Sequence, residues 1–289
     1  MSLTKRVLRF SFSGGLSGGF TAAGLRAAAS IQITDGILGT QAAAKIWGLS
    51  EAQMNSYSSA IPNAINDELP DANLVIEAGD LGGSFIKVID GPIFSSNIDL
   101  TDSPDSAFLI SVAGIADAAT PIGPQSQPPD EPGEASRQDV EDLIASLCVQ
   151  AGWTLHNNGV SGVLTNMNTY GSAFKQIDDI ANAGDFHWIL NGTTLSIWPK
   201  GGTIDDTVVT VGPKTTPRMV GYPSYWPLGI TVTSLFNPEI QVGRLMNVVG
   251  SSIKKANGLW SIVNVQHELT SVMPKGPWFT IATLAGIDT

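Results

Sequence analysis

The part of the chain that most restricts its fold is the C-terminal run of residues 217–284. Short strand-like segments alternate here with turns, which is typical of a small antiparallel barrel or sandwich. Asn257-Gly258 lies between two of these segments, and both residues tolerate positive φ, so the pair predicts a tight hairpin turn. The predicted strands are residues 230–235, 245–249, 259–269 and 278–284.

Residues 1–117 also have the pattern of a β-rich domain. Leu8, Phe10 and Phe12 alternate with polar residues, as in a half-buried strand. Ser50-x-x-Gln53 is a capping box that predicts a short helix, with a polar loop as the alternative. Glycine, proline and aspartate turns separate four further strand-like runs, at residues 73–78, 84–89, 93–100 and 107–112.

The middle of the chain contains two segments with different sequence patterns, residues 118–135 and residues 136–200. Residues 118–135 contain five prolines within twelve positions, which predicts an extended linker between domains. Residues 136–200 then read as a compact α+β domain. Ser136-x-x-Asp139 predicts the start of one helix, residues 172–183 predict a second, and Asn191-Gly192 predicts a hairpin.

Several short motifs follow one another in order along the C-terminal run. They are residues 219–223 (MVGYP), 229–230 (GI), 234–238 (SLFNP), 258–262 (GLWSI), 267–269 (HEL) and 274–280 (PKGPWFT). No single motif is specific, but the ordered set resembles the C-terminal barrel of the baseplate hub proteins of contractile-tailed, Mu-like bacteriophages. The resemblance extends more weakly to the first domain, where residues 46–49 (IWGL) precede the predicted helix.

This resemblance implies a mainly β chain with an α+β insert. Two small, tail-tube-like antiparallel β-barrels, at residues 1–117 and 201–289, would flank the linker at 118–135 and the α+β domain at 136–200. The family forms homotrimers, in which six barrels make a ring that joins a six-fold tail tube above to a three-fold central spike below. The resemblance also implies a channel for DNA and a place in the virion tail. It further implies contacts with the tape measure protein and with baseplate wedge proteins.

Net charge, apolar run length and cysteine content argue against several classes of protein. The net charge is −11, and residues 201–289 carry 5 acidic and 6 basic side chains, so the negative excess lies before residue 201. An acidic surface disfavours sequence-specific nucleic-acid binding and suits a channel that DNA passes without adhering. No apolar run approaches the ~20 residues of a membrane span. With Cys148 as the one cysteine and no signal-peptide pattern, the chain is expected to assemble in the host cytoplasm.

The sequence predicts no catalytic, cofactor or metal site, and therefore a protein that is not an enzyme. The three histidines, His156, His187 and His267, lie in different predicted strands without metal-ligand spacing. Cys148 lies beside a core position of a predicted helix, which is typical of an inert, packed cysteine. A peptidoglycan hydrolase, the alternative for a tail protein, needs two carboxylates across a cleft. No spacing selects a pair among the candidates, which are Glu68, Asp71, Glu239 and Glu268.

One loop is a candidate protein-contact surface. Residues 221–228 contain Tyr222, Tyr225 and Trp226 together with two prolines and no charge. Rigid aromatic loops of this kind make good protein contacts, although they also serve as lids on the end of a barrel. Exposed aromatic residues would equally suit a third class of protein, a monomeric glycan-binding module. The sequence leaves these readings open.

Overall fold

The computed structural model describes residues 5–15, 18–58, 72–101, 105–113, 121–126 and 136–287. Its first part contains seven strands and one α-helix, α1 (Glu51–Tyr57). The strands are β1 (Arg6–Ser13), β2 (Phe20–Ala23), β3 (Ala27–Thr34), β4 (Thr40–Trp47), β5 (Asn73–Asp80), β6 (Phe85–Asp99) and β7 (Ala107–Ala113).

The predicted capping box is confirmed. The Gln53 backbone N–H donates to Ser50 Oγ, and the Ser50 N–H donates to Gln53 Oε1. The runs predicted at 84–89 and 93–100 are, however, one continuous strand, β6, since Gly91-Pro92 extends the strand instead of turning it. A register shift between Ile93 and Ser95 lets its first half pair with β5 and its second half with β7.

The C-terminal part contains six further strands, and each of the four runs predicted there is found. They are β15 (Val208–Val211), β16 (Ser224–Trp226), β17 (Gly229–Leu235), β18 (Leu245–Val248), β19 (Gly258–Ser271) and β20 (Trp278–Ala285).

The two-residue turn predicted at Asn257-Gly258 is wrong. Val248 pairs directly with Gly258, so the connection spans residues 249–257, and Asn257 has an ordinary φ of −74°. The asparagine closes this longer loop instead: its Oδ1 accepts from the Ser251 N–H and its Nδ2–H donates to the Ser251 carbonyl oxygen. Side-chain hydrogen bonding to the loop backbone, rather than positive φ, explains the asparagine.

The strands of both parts join in one sheet of 13 strands. Its main path runs β16-β17-β20-β19-β3-β4-β7-β6-β5-β1-β2, and β18 and β15 extend from β19. The connection is the antiparallel pairing of β19 with β3, which aligns Asn264 with Thr34 at one end and Ser271 with Ala27 at the other. The prediction of a mainly β chain with antiparallel pairing is confirmed, and the pairings do not establish two closed barrels.

The middle segment contains two helices and the remaining strands. Its first helix starts at Val140 and is capped by Asp139, whose Oδ1 accepts from the Glu141 N–H, so the predicted cap at Ser136 is wrong. Residues 137–139 form a strand paired with β11, which keeps Ser136 outside the helix. The elements are β8 (Pro121–Ser126), β9 (Arg137–Asp139), α2 (Val140–Ala151), β10 (Thr154–Asn157), β11 (Val163–Thr165), β12 (Asn168–Ser172), α3 (Ala173–Gly184), β13 (Phe186–Asn191) and β14 (Thr194–Pro199).

The described part of the proline-rich segment docks onto the middle segment. Strand β8 pairs with β12, and the buried side chain of Gln176 on α3 ties the two strands together. Gln176 Nε2 donates to the backbone oxygens of Gly123 and Gly171, each at 3.2 Å, while its Oε1 accepts from Thr169 Oγ1 at 2.9 Å. Residues 121–126 are therefore extended, as predicted, but are held in a sheet.

We expect Gln176→Ala to lower the free energy of unfolding by about 3 kcal/mol, because it removes a buried donor shared by two strands. Urea denaturation would measure this. Asn182→Ala on the exposed face of the same helix is the control and should change stability by less than about 0.5 kcal/mol. Equal effects of the two substitutions would contradict the role given to Gln176.

Three buried clusters fill the molecule, and two of them cross the sequence segments. The first cluster lies inside β1–β7 and α1 but includes Leu269 and Trp278 from the C-terminal part. The second lies inside β15–β20 and includes Ile189 and Trp198 from the middle segment. The third lies between α2, α3 and the strands that flank them. The domain bounds at 117, 135 and 200 remain a proposal.

Candidate protein-contact surface

The aromatic loop predicted as a contact surface lies at one end of the long sheet. Gly221, just before β16, has a φ of +73°, a backbone conformation that favours glycine. Strand β16 then pairs with β17, with Trp226 opposite Gly229, so Pro227 and Leu228 form the hairpin turn. Because β16 is the last strand on the sheet's main path, its second edge pairs with no strand of the described residues.

The three predicted aromatic residues have different surroundings. The side chains of Tyr222 and Tyr225 are 74% and 61% exposed, and the neighbouring Leu228 is 70% exposed. Trp226 is only partly exposed, and its Nε1–H donates to the Leu284 carbonyl oxygen at 3.0 Å. Trp226 thus anchors the hairpin to β20, and the two tyrosines with Leu228 form the exposed aromatic patch.

Gly229 fixes the hairpin at this position. A Cβ at Gly229 would lie 2.0 Å from the Leu284 carbonyl oxygen, a distance that no side chain tolerates. The glycine allows β17 to approach β20 closely at the base of the hairpin. The patch therefore sits on a rigid support, which favours a preorganised contact surface.

The three histidines lie in separate surroundings, as their sequence positions suggested. His267 is buried, its Nδ1 lies 2.9 Å from Thr280 Oγ1, and burial lowers its pKa to about 4. His187 Nδ1 lies 2.6 Å from Asp35 Oδ2, which links the middle segment to the first part of the chain. His156 is exposed on β10.

Cys148 and the two candidate carboxylates within the described residues, Glu239 and Glu268, lie in different surroundings. Cys148 is buried in α2, and burial raises the pKa of its thiol to about 11, so the thiolate is scarce at neutral pH. Glu268 accepts hydrogen bonds from Ser30 and Gln266, each at 2.6 Å, whereas Glu239 is exposed in a loop. Two further candidates, Glu68 and Asp71, lie outside the described residues.

Within the described residues, no group of three or more histidine, cysteine, aspartate or glutamate side chains is arranged to hold a metal ion. None of the helices in that same part of the chain is long and apolar enough to cross a membrane.

Comparisons with known proteins show which solved structures have a similar fold. No protein-family model and no curated protein sequence matches the chain. Among solved structures it is similar to the 43 kDa tail protein of prophage MuSo2 from Shewanella oneidensis, with a TM-score of 0.60, 11% identity and 97% of each chain covered. It is also similar to a tail protein from Neisseria meningitidis MC58, with a TM-score of 0.58, 12% identity and 96% of each chain covered.

A third similar structure comes from a secretion machine. The E. coli c3393 protein is described as a component of the type VI secretion system with structural similarity to the T4 bacteriophage tail proteins gp27 and gp5. Its TM-score is 0.53 at 6% identity, and the match covers 99% of this chain and 74% of that one. The resemblance predicted from the ordered motifs is thus confirmed in the fold: this chain folds as these bacteriophage tail proteins do.

Proposed function

We propose that the chain is a structural component of a contractile tail or a related injection particle, and that it acts there as the baseplate hub. The observation that carries the proposal is the likeness in fold to the MuSo2 and Neisseria tail proteins over 96–97% of the chain. Such a likeness spans both β-rich parts and the segment between them. In this proposal the chain is not an enzyme and works in the virion tail.

The proposed assembly is a homotrimer. Each chain would contribute two β-barrel lobes, so three chains would form a ring of six lobes between the tail tube and the three-fold spike. Isolated bridges between Gly212 and Arg218 and between Met219 and Ser234 support closure of the C-terminal barrel, because they lie between β15 and β17. Within the described residues, β16 and β2 each have one edge without a partner strand, and these edges support contacts between neighbouring lobes.

In this proposal DNA passes through the ring along a sheet face that is largely uncharged, and not along the acidic lining that the net charge suggested. Charged residues on this face have partners: Glu268 accepts from Ser30 and Gln266, and Lys45 Nζ lies 2.8 Å from Asp99 Oδ2. Such a surface would not adsorb nucleic acid strongly. Many of the side chains that alternate with buried ones on β3, β4, β7 and β19 are small or polar and uncharged: Ala28, Ser30, Gln32, Gln41, Ala43, Ser111, Ala113, Asn264 and Gln266.

Light scattering and electron-microscope class averages of the purified protein test the proposal. A trimer has three times the 30.3 kDa mass of one chain, about 91 kDa, and should show a central hole with six lobes. If the chain is monomeric alone, the measurement is repeated with the central spike protein of the same particle. A monomer that ignores the spike and clears cell-wall suspensions would overturn the hub role in favour of a peptidoglycan-degrading protein.

The aromatic patch should contribute to assembly and not to folding. We expect the double variant Tyr222→Ser/Tyr225→Ser to keep its stability within about 0.5 kcal/mol, because both side chains are exposed. Its association should weaken at least about tenfold if the tyrosines are interface anchors. Sedimentation velocity at several concentrations measures this, and Tyr170→Ser, which is 76% exposed elsewhere, is the control. Unchanged assembly of the double variant would exclude the patch as an interface.

A further inference from the structure

A cleft of about 610 Å³ lies between strand β6, the sheet of the middle segment and the loop that follows β17. Its volume falls in the range of sites that enclose a ligand or a short stretch of peptide, roughly 300–1,000 Å³. Ile33 and His267 lie at its base, and Val242 borders it from the loop. The cleft is separate from the aromatic patch at β16, none of whose residues borders it.

One wall of the cleft is the edge of a strand. Five consecutive residues of β6, from Ile86 to Asp90, border the cavity. Residues from both faces of the strand therefore contact the cavity, which favours an approach along the strand edge, and a β-bulge that leaves Val88 without a partner on β5 interrupts the alternation there. This half of β6 pairs with β5 on one side, and β7 pairs with β6 only from Ile93 onward. Within the described residues, the second edge of this half therefore has no partner strand.

The opposite wall is one face of the three-stranded sheet of the middle segment. Thr194 pairs with Asn191 and Ser196 pairs with Ile189, so these side chains share a face of β13 and β14. His156 of β10 lies opposite Ser196 in the parallel register and borders the cavity as well. Short hydroxyl and amide groups dominate this wall, and they can donate or accept hydrogen bonds without filling the cleft.

The charged groups at the cleft balance one another. Asp90 and Asp205 border the cavity, but Asp90 is paired with Lys87 and Asp205 is paired with Arg244. Burial opposes ionisation of both aspartates, but hydrogen bonds from Asn73 and Lys87 to Asp90, and from Arg244 to Asp205, outweigh it and lower their pKa values. Both carboxylates are therefore charged at neutral pH.

We propose that this cleft binds an extended peptide segment of a partner protein, which adds a strand to the free edge of β6. Backbone hydrogen bonds along β6 would supply affinity, as in other cases of strand addition. Ile86 is 45% exposed at the cleft and offers an apolar contact. The cleft lies within one chain, so peptide binding can be tested whether or not the proposed trimer forms.

The experiment uses the full chain and a displayed library of random hexapeptides. Peptides selected on the immobilised protein are resynthesised, and their dissociation constants are measured by fluorescence anisotropy. We expect the selected sequences to alternate apolar and polar residues, as an added strand with two different faces would. Two methylated series cover alternate backbone nitrogens in the two possible phases. The series whose methyl groups replace the N–H groups that face β6 should bind at least tenfold more weakly, and the other series should keep its affinity, because alternate N–H groups of a strand point to opposite edges.

Variants of the opposite wall locate the binding. Thr194→Trp places an indole in the cleft from an exposed strand position and should raise the dissociation constants at least tenfold. Thr193→Trp, at an exposed neighbouring position that does not border the cleft, is the matched control and should leave them unchanged. Urea denaturation of both variants confirms that they are folded, and the methylated peptides test the strand edge independently of either substitution.

Three results would overturn the proposal. The library could yield no sequence above background, the selected peptides could bind Thr194→Trp as tightly as the wild type, or methylation in both phases could leave their affinity unchanged. A fourth result would replace the occupant: if the purified chain self-associates and Thr194→Trp alone abolishes this association, the segment in the cleft belongs to a second copy. Failure to form a trimer, by contrast, would leave the peptide measurements unaffected.

Discussion

Replacing Leu269 by alanine is expected to lower the free energy of unfolding by about 2–5 kcal/mol, the usual cost of a fully buried leucine. The reason is its position across the sequence segments. Leu269 belongs to β19 in the C-terminal part, but its side chain is fully buried in the cluster formed by β1–β7. The pairing of β19 with β3 carries it there. The cavity left by the substitution should therefore weaken the first part of the molecule.

Urea unfolding followed by tryptophan fluorescence and circular dichroism measures this effect. We expect one cooperative transition, shifted to lower urea for both probes, because the two parts share a sheet and a buried cluster. Leu259→Ala on the same strand is the control: its side chain is 47% exposed, so it should cost less than about 1 kcal/mol. Two separate transitions, with only the C-terminal one shifted, would show that the parts fold independently.

Acid is expected to destabilise the protein through His267, by about 2 kcal/mol between pH 7 and pH 5. Burial lowers the pKa of this histidine to about 4 in the folded state, whereas an unfolded histidine has a pKa near 6.5. As the pH falls through 6.5 the unfolded chain gains a proton and the folded chain does not. The stabilisation is thus complete above pH 6.5, declines down to pH 4 and is lost below that.

Urea denaturation at pH 7, 6 and 5 tests this prediction. His267→Gln should abolish most of the pH dependence over this range, while His156→Gln leaves His267 in place and should retain it. The paired carboxylates contribute at lower pH, since hydrogen bonds lower the pKa of Asp99 and Glu77 and their stabilisation is lost as the pH falls further. An unchanged slope in His267→Gln would exclude this histidine as the cause.

The sequence identified the aromatic residues of the candidate contact surface, but it did not predict how they are arranged. The run of aromatic residues and prolines marked the loop, but only the hairpin with β17 decides that Tyr222 and Tyr225 face solvent while Trp226 hydrogen-bonds to Leu284. Leu228, which is 70% exposed in the same patch, carried no signal in the sequence. The cleft at β6 was also invisible, because its walls come from segments more than sixty residues apart.

A register shift changes which side chains of β19 are buried. In a strand of strict alternation, Leu259 and Val263 would share a face with Val265 and Leu269. The pairing of β19 with β20 shifts between Ile262 and Asn264, so Ile262 is buried, Leu259 is half exposed and Val263 is only partly buried. A β-bulge adds one residue and inverts the faces that precede it, and nothing in the local sequence shows where the partner strand will require it.

The sequence by itself determined the local elements, since alternation, capping and turn chemistry act over a few residues. It determined four of the six strands of the C-terminal part, the capping box at Ser50 and the hairpin around Asn191-Gly192. Only the tertiary structure decided that β19 joins β3, that Leu269 enters the first core and that residues 121–126 dock beneath Gln176. These are contacts between distant segments, whose energy comes from shared burial and pairing, and no local pattern encodes their partners.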